Sequence, residues 1–211
     1  MKDKLREAYN KKARVRDENA VQDWKKEERS LFLSLLLQEQ KETLLEIGAG
    51  PGKDSAYFQE SGLKVVCIDL TPEMVKLCKQ KGLNAKVMDF SNLQFPDGSF
   101  DSVYALNCLL HLHKEELPPV LVAINAILKS GGFFYMGMHG GIDYEGVWPE
   151  DSYEPKRFFS FYDSDHLKRV VSEVFEVDSF KKIDIGQLNS GLYFQSVVLR
   201  KRNNLNLTMS H

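Results

Sequence analysis

Apolar positions between residues 30 and 139 follow two alternating rhythms. Short apolar-rich runs occur at 43–47 (TLLEI), 64–69 (KVVCID), 84–89 (NAKVMD), 100–106 (FDSVYAL) and 133–139 (FFYMGMH) and read as strands. Between them, apolar residues recur every three or four positions, which predicts helices over 29–40, 53–61, 72–81 and 114–129. Pro118 and Pro119 suit the first turn of the last of these, and Gly131-Gly132 is predicted to end it. Strands alternating with helices at this spacing predict a doubly wound α/β sheet, mostly parallel, with helices on both faces.

The final third changes character. A loop-like stretch, 140–160, precedes a predicted helix at 164–175. Two β-rich runs follow, FEVDSFKKIDI and LYFQSVVLRKR, joined by a turn around Asn189-Ser190-Gly191. That pattern is a hairpin, so the sheet is expected to finish antiparallel. Residues 1–29 carry ten Lys/Arg and seven Asp/Glu, broken by Tyr9, Val15, Val21 and Trp24, and predict one or two surface helices forming an arm. The polar tail, 203–211, is expected to fray. Repeats and linkers are absent, so residues 1–202 read as a single domain.

Composition narrows the possibilities without choosing among them. At 211 residues with 43% apolar and 27% charged positions, the chain can bury one α/β core. A net charge of -2 gives no general attraction to nucleic acid or anionic membrane. Cys67, Cys78 and Cys108 lack metal-ligand spacing and read as buried thiols in a reducing compartment, and no metal site is expected. The longest apolar run, 31–37, is too short to span a bilayer, and the charged N-terminus does not resemble a secretory signal. A cytoplasmic protein, monomeric or homodimeric, is the expectation.

The chemistry begins at LLEIGAGPG, 44–52, where a strand ends in Glu46 and breaks into a turn with glycines at 48, 50 and 52. Such a turn lets backbone N–H groups approach a ligand at the positive end of the following helix. It is not a P-loop, because Lys53, Asp54 and Ser55 do not give GxxxxGK[ST]. Nor does it match the dinucleotide GxGxxG, because Lys53 stands where the third glycine belongs. Asp69 ends the next strand, 19 residues after Gly50, where a carboxylate accepts from both ribose hydroxyls. Asp89 ends the third strand, where a second acid can accept from an adenine amino group while the Phe90 N–H donates to the ring. Met74 can pack its thioether on the adenine face.

With these residues in order, the chain resembles the class I S-adenosylmethionine-dependent methyltransferases, in particular a small-molecule branch like the quinone-biosynthesis enzymes. LLEIGAGPG, VVCIDLTPEM and NAKVMDF resemble the family's first three motifs; SFDSVYALNCLLHL and LKSGGFFYMG resemble those around strands four and five. The resemblance covers about residues 40–140. It implies a Rossmann-like seven-stranded sheet with an antiparallel final strand. It also implies S-adenosylmethionine as methyl donor, S-adenosylhomocysteine as product, and a small-molecule acceptor. Glu46 suits the cationic methionine end of that cofactor. Ala49 in the turn, Leu70 beside Asp69 and Asn107 after strand four complete the candidate cofactor set.

Methyl transfer from a sulfonium is an in-line displacement that needs alignment, exclusion of water and, for a protonated nucleophile, a base. His111 is the first candidate for that base and His139 the second, both near the expected methyl. His113, beside Lys114, is expected to be exposed. The segment 140–162 is predicted to cover the acceptor, with Tyr144, Trp148 and Phe159, together with Tyr9 of the arm, as candidate substrate contacts. Its acid excess suggests a cationic or amine acceptor, while Lys156 and Arg157 leave a carboxylate-bearing one open. Methylation of tRNA or protein, and a non-catalytic S-adenosylmethionine-binding role, are the alternatives; the near-neutral charge disfavours the first and the intact motif the second.

Overall fold

The computed structural model describes residues 1–186 and 191–202. In chain order the elements are α1 (Lys2–Glu18), α2 (Asp23–Gln38), β1 (Thr43–Ile47), α3 (Lys53–Glu60), β2 (Lys64–Asp69), α4 (Pro72–Gln80), β3 (Asn84–Val87) and β4 (Phe100–Leu106). They continue with α5 (Leu117–Ile127), β5 (Leu128–Gly140), β6 (Tyr144–Val147), β7 (Phe158–Phe161), α6 (Ser164–Ser172), β8 (Glu176–Ile183) and β9 (Tyr193–Arg200). Seven strands form one sheet in the order β3-β2-β1-β4-β5-β9-β8. All neighbours pair in parallel except β9, which runs antiparallel to both β5 and β8. This is the Rossmann-like, doubly wound sheet with an antiparallel C-terminal hairpin strand.

Alternation along each strand divides the core between the two faces. Leu44, Tyr104, Phe133 and Tyr135 face α2 and α3, where they meet Phe32, Leu36 and Phe58. Their neighbours Leu45, Val103, Phe134 and Met136 face the other way, against Leu121 and Ile124 of α5 and Leu167 and Val171 of α6. On the first face Tyr104 stacks on Tyr135 at 4.7 Å, and the Phe32 ring leans on both. The apolar run at 31–37 is thus one side of α2, with Phe32, Leu33 and Leu36 inward and Leu31 and Leu37 exposed.

Several boundaries differ from expectation, each for a local reason. The helix expected from residue 29 begins at Asp23, so the arm comprises α1 and the first turns of α2. Gly131-Gly132 does not end a helix: α5 stops at Ile127, and β5 pairs Leu128 with Phe100 and then Phe133 with Ser102. The residues between loop out, with Gly131 at φ +65° and with carbonyl oxygens where a Gly132 side chain would lie. The loop expected at 140–160 contains β6 and β7, an antiparallel pair with Tyr144 opposite Phe161 and Val147 opposite Phe158. Arg157 closes that segment by donating from its backbone N–H and guanidinium to Asp151. The turn expected at Asn189-Ser190 and the tail 203–211 lie outside the described residues, but β8 and β9 on either side of the turn pair from Glu176–Arg200 to Ile183–Phe194. No helix among the described residues is long and apolar enough to cross a membrane.

Phe32 joins α2 to the central strands with only 2% of its surface exposed. Truncation as Phe32→Ala should cost about 3–5 kcal/mol, read as a lower urea midpoint at unchanged m-value.

Candidate active site

Strand order reverses between β1 and β4, and at such a switch point the carboxyl ends of neighbouring parallel strands leave a crevice. The glycine turn after β1 forms one lip. Gly48 has φ +66°, and a Cβ there would stand 2.4 Å from the Cys108 Cβ, so the turns after β1 and β4 touch only because position 48 has no side chain. Gly50, at φ +55°, donates its N–H to the Asp69 carboxylate at 2.9 Å. Gly52 serves the packing behind the turn, since at φ +81° it starts α3 and a Cβ there would collide with Leu83 at 2.6 Å.

Two cavities meet along this crevice and share Arg16, Gly48, Gly50 and Leu106. The first is lined by Asp69, Leu70 and Met74 after β2, Asp89 and Phe90 after β3, and Asn107 and His111 after β4. The second is lined by Glu46, Ala49, Lys53, Lys25 and the α1–α2 connection from Asn19 to Gln22. Asp69 also accepts the Thr71 N–H at 2.8 Å; burial raises its pKa, and the Thr71 and Gly50 donors oppose that rise. At Asp89, partial burial pushes the pKa up, but the Lys2 ammonium at 2.6 Å and the Ser91 N–H at 2.9 Å prevail and lower it. Asp69 thus ties the turn after β1 to the one after β2, and Asp89 ties the turn after β3 to α1. Glu46 is buried beside Ser55, whose hydroxyl donates to it; burial and then the nearby Asp54 charge hold its pKa well above the carboxylate range.

Helix α1 closes the first cavity. Lys2, Leu5, Tyr9 and Arg16 line it, and their spacing puts them on one helical face. The Tyr9 hydroxyl lies 2.8 Å from His111 Nε2 and accepts from Arg157 Nη1 at 2.9 Å. Since a guanidinium has only donors, the Tyr9 proton points to His111 Nε2, and His111 Nδ1 carries the proton given to the Phe158 carbonyl at 2.8 Å. Burial pushes the His111 pKa down to about 3. Two polar atoms beside the cavities are buried and unpaired: Asn107 Oδ1 and Arg16 Nε. Asn107 is held at φ +54° with its N–H on the Gly137 carbonyl at 2.7 Å.

Ten of the expected cofactor residues line one or both cavities, and Gly52 lines neither. Of the expected histidines, His111 lines the first cavity. His139 pairs in register with Phe194 and meets its ring edge-on, and burial followed by the Lys25 charge lowers its pKa to about 4. It lines neither cavity. His113 is half-exposed and pairs with Glu145. Among the expected substrate contacts Tyr9 lines the first cavity, and Phe159 lies behind it against the His111 ring at 4.8 Å. Tyr144 and Trp148 pack on each other and on Phe161, in the core of the β6–β7 pair. Lys2, Leu5 and Arg16 were missed, and Arg157 was expected beside the acceptor but not as a partner of Tyr9. The heptad-like spacing of the first three with Tyr9 was their available signal, masked by the charge density of the arm. Asp143, Asp163 and His166 cluster closely enough to hold a cation, but Lys114 pairs with Asp143, and Asp163 accepts two N–H groups of α6.

Residues 45–136 match a family described as "Methyltransferase domain". The chain is 29% identical over 98 residues to an uncharacterized methyltransferase of Alkaliphilus oremlandii, covering 46% of this chain and 45% of that one. It is 31% identical over 100 residues to a ubiquinone biosynthesis O-methyltransferase of Xanthomonas oryzae pv. oryzae, covering 44% and 41%. The chain therefore spans under half the length of these curated relatives. In fold it is similar to the 1,6-didemethyltoxoflavin-N1-methyltransferase of Burkholderia thailandensis, solved with 1,6-didemethyltoxoflavin and S-adenosylhomocysteine, at a TM-score of 0.72 and 20% identity over 96% of this chain and 87% of that one. Residues 45–136 are thus similar to a methyltransferase domain, and the fold of the whole sheet is similar to that of the Burkholderia thailandensis N1-methyltransferase.

The neutral His111 gives a pH test. An unfolded histidine takes up its proton near 6.5 and the folded one near 3, so stability is complete above pH 6.5 and is lost as pH falls through that window. The fall in unfolding free energy between pH 7 and 5 should be shallower in His111→Gln, by up to about 1.4 kcal/mol per pH unit. Urea melts across that range measure it, and equal slopes would contradict a buried neutral imidazole.

Proposed function

We propose that this protein is an S-adenosylmethionine-dependent methyltransferase acting on a small-molecule acceptor. The observation that carries the reading is the pair of joined cavities at the switch point, with two acids on one side and an unpaired buried donor and acceptor between them. Asp69 would receive the ribose hydroxyls, and Asp89 with the Phe90 N–H the adenine edge, over Met74. Arg16 Nε offers a donor to the methionine carboxylate, and Asn107 Oδ1 an acceptor to its ammonium. A cation beside Glu46 would oppose the burial that now raises its pKa. The group fits the residues present, because each charged or polar end meets an opposite partner that the chain leaves unsatisfied or able to accept again.

When bound, S-adenosylmethionine supplies a methyl group already activated by the sulfonium charge. The chain's own part is to align the acceptor, exclude water and move a proton. Helix α1 covers the cleft and excludes water. Tyr9 and a neutral His111 form a hydrogen-bonded pair that would position the acceptor's nucleophile and receive a proton only as the methyl transfers, with the Phe158 carbonyl on Nδ1 fixing the ring. We assign His139 no step. The near-neutral net charge and the cover of α1 over the first cavity favour a small molecule over RNA or protein, as do the ubiquinone and toxoflavin names of two counterparts.

Thermal shift with S-adenosylmethionine, S-adenosylhomocysteine and NAD tests the reading. The first two should raise Tm and NAD should not; stabilisation by NAD alone would overturn it. Asp69→Ala removes a charged acceptor from two hydroxyls and should weaken S-adenosylhomocysteine binding by roughly tenfold to a hundredfold in calorimetry.

A further inference from the structure

A separate cavity opens on the other side of His111, between the start of α1 and the β6–β7 pair, and its charged lining is entirely basic. Lys4, His113, Lys156 and Arg157 contribute to it, and no Asp or Glu does. Leu5 and His111 line both this cavity and the one containing Asp69, so a single wall of side chains separates them.

The acid excess of segment 140–162 does not reach this space. Asp143 is paired with Lys114 and faces His166, Glu145 is paired with His113, and Asp151 with Arg157, while Glu150 and Glu154 are exposed. Asp151 offsets the Arg157 charge, and Glu145 accepts a hydrogen bond from His113. The two lysines differ. Neither Lys4 nor Lys156 has a carboxylate partner among the described residues, and the Lys156 ammonium donates only to the Pro149 carbonyl. Two lysines from distant parts of the chain, neither paired with a carboxylate, thus line one concavity, where an anionic oxygen group would meet charge-assisted donors.

We propose that this cavity anchors the methyl acceptor through an anionic oxygen group, a carboxylate or a phosphate monoester, held by Lys4 and Lys156. The nucleophilic end of such an acceptor reaches past His111 and Leu5 toward the first cavity, and Arg157 links the two spaces by donating to Tyr9. Helix α1 then has two roles, since it covers the first cavity and contributes Lys4 to the second. The inference rests on the methyltransferase reading for the word acceptor, but not for the site itself.

Calorimetric titration of the protein saturated with S-adenosylhomocysteine, using inorganic phosphate, benzoate and choline in turn, tests it. At least one anion should bind saturably. Phosphate alone points to a phosphomonoester, benzoate alone to a carboxylic acid, and both uphold the subsite. The K4A/K156A variant should bind the anion roughly tenfold more weakly or worse, with S-adenosylhomocysteine affinity retained as the check on folding. The matched control K26A/K79A should be unchanged. Equal anion affinity in the two double variants, no anion binding, or choline binding in place of both anions overturns the proposal. If S-adenosylhomocysteine fails to bind but phosphate binding stays sensitive to Lys4 and Lys156, the cofactor reading falls and the anion site stands.

Discussion

The contact between Gly48 and Cys108 is the constraint on which the site depends. The turn after β1 and the turn after β4 meet where the sheet reverses its winding, and only a residue without Cβ, in a left-handed conformation, lets them approach so closely. Beside that contact Asn107 also adopts a left-handed conformation and hydrogen-bonds across to β5. The crevice floor is then set by backbone alone. Parallel pairing does the rest, since it ends β1, β2, β3 and β4 on one edge and brings Glu46, Asp69 and Asp89 to a common rim.

The roof has a different physical character. Helix α1 is mostly polar and buries only Ala8 and Ala13 deeply, so it does not dock as a core helix would. It is tied instead by Lys2 to Asp89, Tyr9 to His111, Arg16 to Tyr153 and Asp17 to Lys81. Two of these four contacts are ion pairs with partly exposed side chains, which contribute little each, so the roof is held more weakly than the packed floor. A weakly held element over a strongly built cleft is where ligand entry is expected to occur at least cost. Tyr9 is the exception, because the Arg16 and Arg157 guanidiniums both lie over its ring, 5.2 and 5.3 Å from the centroid, while its hydroxyl engages His111.

Charge reads differently in the folded chain than along the sequence. The segment 140–162 is rich in acids, yet Asp143, Glu145 and Asp151 are consumed by Lys114, His113 and Arg157. What remains for a ligand is the charge left unpaired, and near His111 that charge is positive. The segment's aromatic residues likewise turn inward: Tyr144, Trp148 and Phe161 hold the β6–β7 pair together, leaving Arg157 and Phe159 nearest the site.

The alternation of strands and helices, the antiparallel C-terminal pair, the glycine turn and the acid ending β2 were legible in the sequence, while Asp89 lies two residues past β3, where it caps the next turn. Each follows from a local rule: side-chain period, backbone freedom at glycine, or the position of a residue at a strand's end. The excursion at Gly131-Gly132 was misread because a glycine pair after an apolar helix looks alike whether it stops the helix or bends the next strand. The roof, the Arg157–Tyr9–His111 chain and the basic cavity were not legible. Tyr9 and His111 are 102 residues apart and Arg157 and Tyr9 are 148 apart, and nothing local to either partner encodes such a meeting. The sequence by itself determined the sheet and the chemistry along its edge, because those depend on neighbouring residues. Only the tertiary structure decided which charges cancel and which remain to meet a ligand, because that depends on distances between segments the chain brings together last.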